Sequence, residues 1–327
     1  MDQLSKIIEN FPGKRVGIVG DLMLDRYLSC EIKRISQEAP IPIAKVLNEK
    51  FVLGGAANVA ANVRSLGGEA EVLGLFGTDS KGEMMLKMLR EQGIERSLSL
   101  KSSDRPTTVK TRIVSGNHQI VRIDMESDEN ISKNEEEEIL SRLPEFLDRS
   151  EIIIISDYAK GFVTENLAKK IILLAKERGI KVLVDPKKFE YFTGAYLIKP
   201  NKEEAEHTAG VRFMADYSNA SEILKILHEK FNSNLAVTLG KDGMMISEGK
   251  GISRTKSLAK EVYDVSGAGD TVMAALALGL ASGSDLKTSA LISNYAAGVA
   301  VSKVGTATVS VLEVLELIKK NGVSSFV

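Results

Sequence analysis

The 327-residue chain contains no tryptophan, one cysteine and three histidines. A single thiol, Cys30, excludes an internal disulfide framework and a cysteine-rich metal centre. His118, His207 and His228 show no metal-ligand spacing and are read as surface or packing residues, so histidine-dependent chemistry is disfavoured. An excess of one charge is also missing. The 43 basic and 44 acidic residues leave a net charge of −1, which matches neither a nucleic-acid footprint nor a polybasic membrane anchor. No apolar run approaches the roughly 18 residues of a membrane span. The start, Met1-Asp2-Gln3-Leu4-Ser5-Lys6, lacks the apolar core of a signal peptide. These absences predict a soluble cytoplasmic protein with no nucleic-acid or membrane partner.

What is present is apolar residue, 43% of the chain, ample for a large core. A single α/β domain over residues 1–327 is expected. Arg15 to Gly20 is a β-branched run ending in glycine and reads as a buried strand. Further strands are predicted at Glu71–Phe76, Glu151–Ser156, Lys181–Val184, Tyr196–Ile198 and Asn234–Thr238. Helices are predicted at Ala56–Leu66, Ser80–Glu91, Thr164–Arg178 and Lys202–Thr208, and from Asp270, Leu286 and Val311. The acidic run Glu135–Glu138 reads as a solvated helix face. Strands alternating with helices imply a mostly parallel sheet covered on both faces. Two stretches, about 28–53 and 107–124, have extended period-2 character. They read as a small accessory sheet over the active site, with ordinary edge hairpins as the alternative.

The most informative segment is Asp264-Val265-Ser266-Gly267-Ala268-Gly269-Asp270-Thr271, followed at once by an apolar helical run. A Gly/Ala turn opening a helix presents unpaired N–H groups at the positive end of the helix dipole, a ready anion cradle. The N–H groups of Gly267, Ala268 and Gly269 are expected to hold a transferring phosphoryl group. Asp270 beside them is expected to take a proton from a hydroxyl while staying ionised, hence a weak base. That combination suggests a kinase. Gly54-Gly55-Ala56-Ala57-Asn58 is a second small-residue turn into a helix, open to a close-packing reading as well as a ligand-binding one. Asp21 and Asp25 follow the first strand, where carboxylates suit a polyol or act as turn caps. Asn201 and Glu204 fit a capping box and equally a site near metal and phosphates. Thr238, Gly240 and Gly243 bound a turn that meets a nucleotide or simply makes a hairpin. No Walker-type Gly-x-x-x-x-Gly-Lys-Ser/Thr run exists, and no Gly-x-Gly-x-x-Gly follows the first strand. The second absence counts against a nicotinamide-dependent oxidoreductase.

Together the early Gly54–Asn58 and late Asp264–Thr271 segments resemble the two signatures of the ribokinase-like (PfkB) carbohydrate kinases, and Asn201–Glu204 resembles the Asn-x-x-Glu motif of that superfamily. Gly20–Tyr27, Arg34–Pro42, Ser156–Gly161 and Glu261–Asp264 are similar to its heptose 7-phosphate kinase branch, with Gln37 where proline is expected. The resemblance implies a ribokinase-like fold with a small β-sheet lid. It implies ATP-dependent phosphorylation of the anomeric hydroxyl of D-glycero-D-manno-heptose 7-phosphate, in a chain that ends at Val327 without an adenylyltransferase half. The implied cofactors are ATP and Mg²⁺, the latter positioned by Asn201 and Glu204 through water, with K⁺ near Asp264 and Ser266. Asp21, Asp25, Gly54, Gly55 and Asn58 would hold the sugar. Arg34, Lys160 and Lys187 would meet phosphate or stand as ordinary surface charge. Asn294, Ala297, Gly298 and Gly305 would line the adenine site. A lid-to-lid homodimer would pair exposed strand edges. Another sugar kinase of this fold, or a non-catalytic sugar or nucleotide sensor, remain alternatives.

Overall fold

In the computed structural model, which describes residues 3–116, 118–249, 251–258, 262–303 and 305–321, the buried β-branched runs assemble first into a central sheet. Its strands are β1 (Arg15–Gly20), β4 (Glu69–Leu73), β9 (Ile152–Ser156), β10 (Lys181–Asp185), β11 (Leu197–Ile198), β12 (Asn234–Thr238), β13 (Met244–Glu248) and β14 (Gly251–Thr255). The order is β14-β13-β12-β11-β10-β9-β1-β4. Pairing is parallel from β4 to β12 and antiparallel through the terminal β12-β13-β14 meander.

Alternate residues of each strand enter different cores, because successive side chains point to opposite faces. Val16, Ile18, Ile152, Ile154 and Leu183 join one cluster, while Val19, Ile153, Ile155, Val182 and Val184 join the other. Helices α1 (Gln3–Ile8), α2 (Ala56–Ser65), α3 (Ser80–Glu91), α8 (Ala268–Ala281), α9 (Leu286–Ala300) and α10 (Val311–Asn321) supply the first core. Helices α4 (Lys133–Asp148), α5 (Glu165–Glu177), α6 (Lys202–Ala209) and α7 (Ala220–Phe231) supply the second. The three-layer arrangement is the expected one. Helix α7 lies in a stretch to which the sequence reading gave no element, although Ile223, Leu224, Leu227 and Phe231 repeat at helical spacing on its buried side.

The small sheet has the order β3-β2-β7-β8, formed by β2 (Leu22–Ile35), β3 (Pro42–Gly55), β7 (Thr108–Ser115) and β8 (His118–Met125). Both expected lid segments are therefore strands of one sheet. Its boundaries are wider than 28–53, because only Asp21 separates β1 from β2. A second departure is the expected strand Glu71–Phe76. It is broken at Gly74, and the remainder, β5 (Leu75–Gly77), pairs instead with β6 (Leu100–Ser102). A side chain at Gly74 would press on Leu22 and on the Gly20 carbonyl, 2.9 Å from a Cβ, so the chain crosses there on glycine.

After β1 the chain leads to α2 on one face and pairs sideways with β4. After β9 it leads to α5 on the other face and continues through β10. The C-terminal ends of β1 and β9 thus flank a topological switch point, where open α/β sheets leave a crevice. Gly20 lets the two strand ends close up, since a methyl there would run into the Ser156 carbonyl. We expect Gly20→Ala to cost about 1–3 kcal/mol, the range of an overpacked core site. Urea unfolding measures this, and an unchanged midpoint would show that the strand ends are not tightly packed.

Candidate active site

Helix α8 begins without a side-chain cap, as α2 does at Gly55. Asp79, Ser132, Thr164, Asn201 and Asp285 each cap a helix with a side-chain acceptor. Gly267, the N-cap of α8, is left-handed at φ 78° and supplies none. The Ala268 N–H is taken by the Val265 carbonyl at 3.2 Å, so one of the three expected cradle donors is spent inside the turn. The N–H groups of Gly267, Gly269 and Asp270 have no acceptor among the described residues, so the cradle keeps Gly267 and Gly269 and extends to Asp270.

Asp270, on the first turn of α8, is only 3% exposed. Its Oδ2 accepts from the Asn58 amide at 2.7 Å and its Oδ1 from the Tyr158 hydroxyl at 2.9 Å. Burial pushes its pKa up to about 7, against the lowering effect of the Asn58 hydrogen bond, with nearby Asp185 adding to the rise. The expectation of a firmly ionised, weak base is thereby corrected: desolvation outweighs the helix dipole, and the carboxylate is poised near neutrality. Burial and the adjacent Asp270 raise the Tyr158 phenol well above its ordinary value, so Tyr158 stays a donor.

Asn58 and Thr306 both close on Gly267, at 2.9 Å and 3.1 Å from where a Cβ would stand. Thr306 also contacts the small sheet. Its N–H donates to the Tyr27 hydroxyl at 3.2 Å and its hydroxyl reaches Asp25 Oδ2 at 3.5 Å. Asp25 is buried and paired with Arg112, whose guanidinium stands 5.4 Å from the Tyr27 ring centroid. Gly54 lies against Asp25, 2.8 Å from Oδ2 to a would-be Cβ, and Gly55 turns into α2 at φ 55°. Asp25, Gly54, Gly55 and Asn58 are therefore gathered at the mouth of the cradle, as the sequence suggested.

Asp21 is placed differently. Its carboxylate accepts from the N–H groups of Tyr158 at 2.8 Å, Lys160 at 3.2 Å and Phe162 at 3.3 Å. Burial raises it to about 6 despite those bonds. In this geometry it anchors the loop that delivers Tyr158. Arg34 is not brought to the cradle within one chain. It is exposed on β2 nine residues beyond Asp25, about 30 Å of strand. Lys160 is close by through Asp21 but already holds Glu126 at 2.6 Å and Asp128 at 2.7 Å.

On the β11–β12 side of α8, Lys199 is buried and pairs with Asp185 at 3.0 Å. A Cβ on Gly269 would lie 3.5 Å from the ammonium, which places Lys199 against the cradle. Burial raises Asp185, and Lys199 opposes that rise. Tyr158, Lys199, Asp185 and Arg112 were missed as site residues. The only sequence signal was position, since Tyr158 sits in a motif already singled out and Lys199 just before another, each following a strand.

Asn201 and Glu204 form a complete capping box, Asn201 N–H to Glu204 Oε2 at 2.8 Å and Glu204 N–H to Asn201 Oδ1 at 2.9 Å. The other Glu204 oxygen pairs with Lys187. Thr238 bridges Asn201 at the next strand end, and Gly240 and Gly243, at φ 59° and 93°, shape the turn after β12. Asn294 donates to the Lys256 carbonyl at 2.7 Å, while Ala297 and Gly298 follow, half-buried, on α9. Asp264 accepts from the N–H groups of Ser266 at 2.8 Å and Gly305 at 3.0 Å. Burial acts to raise it, but these bonds hold it below its ordinary value. Glu261, part of one quoted motif, lies outside the described residues. Among the described residues no three or more His, Cys, Asp or Glu side chains could hold a metal ion together, and no helix is long and apolar enough to cross a membrane. Asn201 and Glu204 offer oxygen atoms, the donors Mg²⁺ takes, and both Glu204 oxygens are already engaged, by the Asn201 N–H and by Lys187.

A buried carboxylate beside two unpaired helix N–H groups and an ammonium defines a phosphotransferase for hydroxyl acceptors. The chain belongs to the pfkB family of carbohydrate kinases, whose family model matches residues 14–313. It is 40% identical over 316 residues to the bifunctional protein HldE of Sulfurimonas denitrificans and 41% identical over 301 residues to that of Geobacter metallireducens. These matches cover 95% and 91% of this chain but 65% and 61% of the relatives, so the chain spans under two-thirds of their length. Among solved structures, phosphofructokinase-2 from Escherichia coli matches with a TM-score of 0.79 at 18% identity. Arabidopsis thaliana ribokinase complexed with ribose and ATP matches with 0.75 at 19%. Both matches cover 94% of this chain and 99% of the other, which establishes the ribokinase-like fold.

The raised pKa of Asp270 carries a stability consequence. Between its unfolded value near 3.8 and about 7, the folded state binds the extra proton, so Asp270's contribution is present at low pH and lost as pH rises through 7. Asp270→Asn should therefore raise the thermal midpoint at pH 8 by roughly 3–6 °C and give a clearly smaller gain at pH 5, inside that window. Calorimetry at the two pH values decides it, and an equal shift at both would remove the buried-charge account.

Proposed function

We propose that this kinase transfers the γ-phosphoryl of ATP to the anomeric hydroxyl of D-glycero-D-manno-heptose 7-phosphate. The product, heptose 1,7-bisphosphate, would feed nucleotide-activated heptose for lipopolysaccharide core or another surface glycan. The observation that carries the phosphotransfer reading is the Asn58–Asp270–Tyr158 constellation at the uncapped start of α8. The choice of heptose phosphate is supported by the identity to the HldE proteins and by the Gly20–Tyr27 and Ser156–Gly161 segments.

Asp270 accepts the sugar hydroxyl proton as that oxygen attacks phosphorus and the bond to the ADP oxygen breaks. Asn58 and Tyr158 fix the direction of the carboxylate. The N–H groups of Gly269 and Asp270 and the Lys199 ammonium, itself steadied by Asp185, face the charge on the moving phosphoryl. Asn201 and Glu204 would hold Mg²⁺, which would supply charge neutralisation on the ATP phosphates. Asp264 and Ser266 are the candidate ligands of K⁺. Thr238, Gly240, Gly243, Asn294, Ala297 and Gly298 bound the nucleotide side, and Gly305 ties that side to Asp264. Dependence on ATP favours a cytoplasmic enzyme.

The small sheet closes over the acceptor and limits water access. Its surface carries exposed Ile35 (65%), Leu47 (62%) and Ile123 (55%), and β3 and β8 are its open edges. A homodimer through this sheet would cover both. Sedimentation at micromolar concentration is expected to give twice the chain mass and Leu47→Glu the single mass. A wild-type monomer would remove the dimer reading.

ATP turnover with heptose 7-phosphate, fructose 6-phosphate and ribose in parallel tests the substrate. Heptose 7-phosphate is expected to lead in kcat/KM, and a preference for either other sugar would replace it. Asp270→Asn should lower kcat by about 10²–10⁴-fold with ATP affinity unchanged. The wild-type rate should fall with unit slope below about pH 7, as the base is protonated.

A further inference from the structure

Two lysines from different parts of the chain converge on one carboxylate. Glu126, just past β8, reaches Lys110 of β7 with Oε2 at 3.0 Å and Lys160 of the Tyr158 loop with Oε1 at 2.6 Å. All three side chains are largely buried, at 12%, 16% and 17% exposed for Lys110, Lys160 and Glu126. Lys160 also holds Asp128, and Lys110 lies 3.4 Å from Asp124. Arg105 pins the backbone on both sides, donating to the carbonyls of Lys160 at 2.5 Å and Ser127 at 2.9 Å.

The location ties the group to the reacting centre. Lys160 is two residues from Tyr158, whose hydroxyl touches Asp270, and both are held by Asp21. Lys110 is in register with Asp25 across β2 and β7, so the two share a face of the small sheet. Arg112, two residues along on that same face, pairs with Asp25 at the mouth of the cradle. A carboxylate that bridges two ammonium groups with its two oxygens has the charge and spread of one edge of a phosphate monoester. Burying two lysines this deeply is costly unless they are paired, and apolar residues would join the segments as well.

We propose that Lys110 and Lys160, with Arg112 beside them, form the receptor for the remote phosphate of the acceptor, and that Glu126 is a placeholder which the phosphate displaces. This rests on the sugar-phosphate reading above and gives that site its specificity. Asp128 is already 70% exposed and can turn to solvent when Lys160 is taken by the phosphate.

Steady-state kinetics of wild type, Lys110→Met, Lys160→Met and Glu126→Gln, with heptose 7-phosphate and unphosphorylated heptose, tests the assignment. Each lysine variant is expected to raise KM for the phosphorylated acceptor at least tenfold with kcat within about threefold. The kcat/KM preference for phosphorylated over plain heptose should fall at least tenfold. Glu126→Gln should lower that KM or leave it in place. A second readout is thermal stabilisation by sulfate at fixed ionic strength, expected in wild type and reduced in both lysine variants to the part that the α8 cradle supplies. Wild-type turnover of heptose 7-phosphate with the preference unchanged in both lysine variants would overturn the receptor alone. A Glu126→Gln variant that raises KM as the lysine variants do would reduce the cluster to a fastening of the lid. Turnover of unphosphorylated sugars only would instead remove the sugar-phosphate reading itself.

Discussion

The desolvation of one carboxylate organises this molecule. Asp270 is buried where a charge is expensive, and two hydrogen bonds, from Asn58 and Tyr158, make it tolerable. Those donors come from the start of α2 and from the loop after β9, so the carboxylate can be satisfied only when β1, β9 and α8 are correctly assembled. Asp21 repeats the pattern a short distance away, spending its oxygens on three backbone N–H groups of the Tyr158 loop. The base is therefore built by the fold as a whole, from segments more than a hundred residues apart.

Around that centre charge is handled in pairs. Lys199 with Asp185 and Lys187 with Glu204 each place a cation beside an acid at the end of a strand or the start of a helix, and Arg112 with Asp25 does so within the small sheet. Such pairs contribute little net stability once their dehydration is counted. Their value is in placement: each holds a polar group at a fixed point in a crevice that would otherwise collapse or flood. Asp25 and Glu126 are each bound to a basic group of β7, within or at the edge of the small sheet, while Leu22, Leu24, Leu53 and Val109 join that sheet to the main apolar core.

Much of this was legible in the residues. The β-branched runs at β1, β9, β10 and β12 and the helix signals at α2, α3, α5 and α8 carried the three-layer order, because strand and helix periods differ and each run shows its own. The Gly267–Asp270 turn marked the cradle because glycine and an acid before an apolar helix have few other uses. What sequence could not give was depth. The Asp270 pKa depends on burial by the whole fold, and local dipole reasoning alone placed it too low. Arg34 illustrates the same limit, since a motif fixes residue types but not how far a long strand carries them. Tyr158 stood in a motif and Lys199 just before one, yet their roles depend on where α8 packs. Strand β4 ended early for a steric reason at Gly74 that only the crossing chain reveals.

The bare start of α8 has a thermodynamic corollary. A helix capped by glycine instead of a side-chain acceptor forgoes only a few tenths of a kcal/mol, and here the omission falls on a helix deeply embedded in the protein. Any tightly seated anion, even one that is never turned over, would make good the missing acceptors and stiffen this segment first. Amide exchange at the head of α8 would then slow selectively, and the rigidity of the core would vary with the oxyanions in the surrounding buffer.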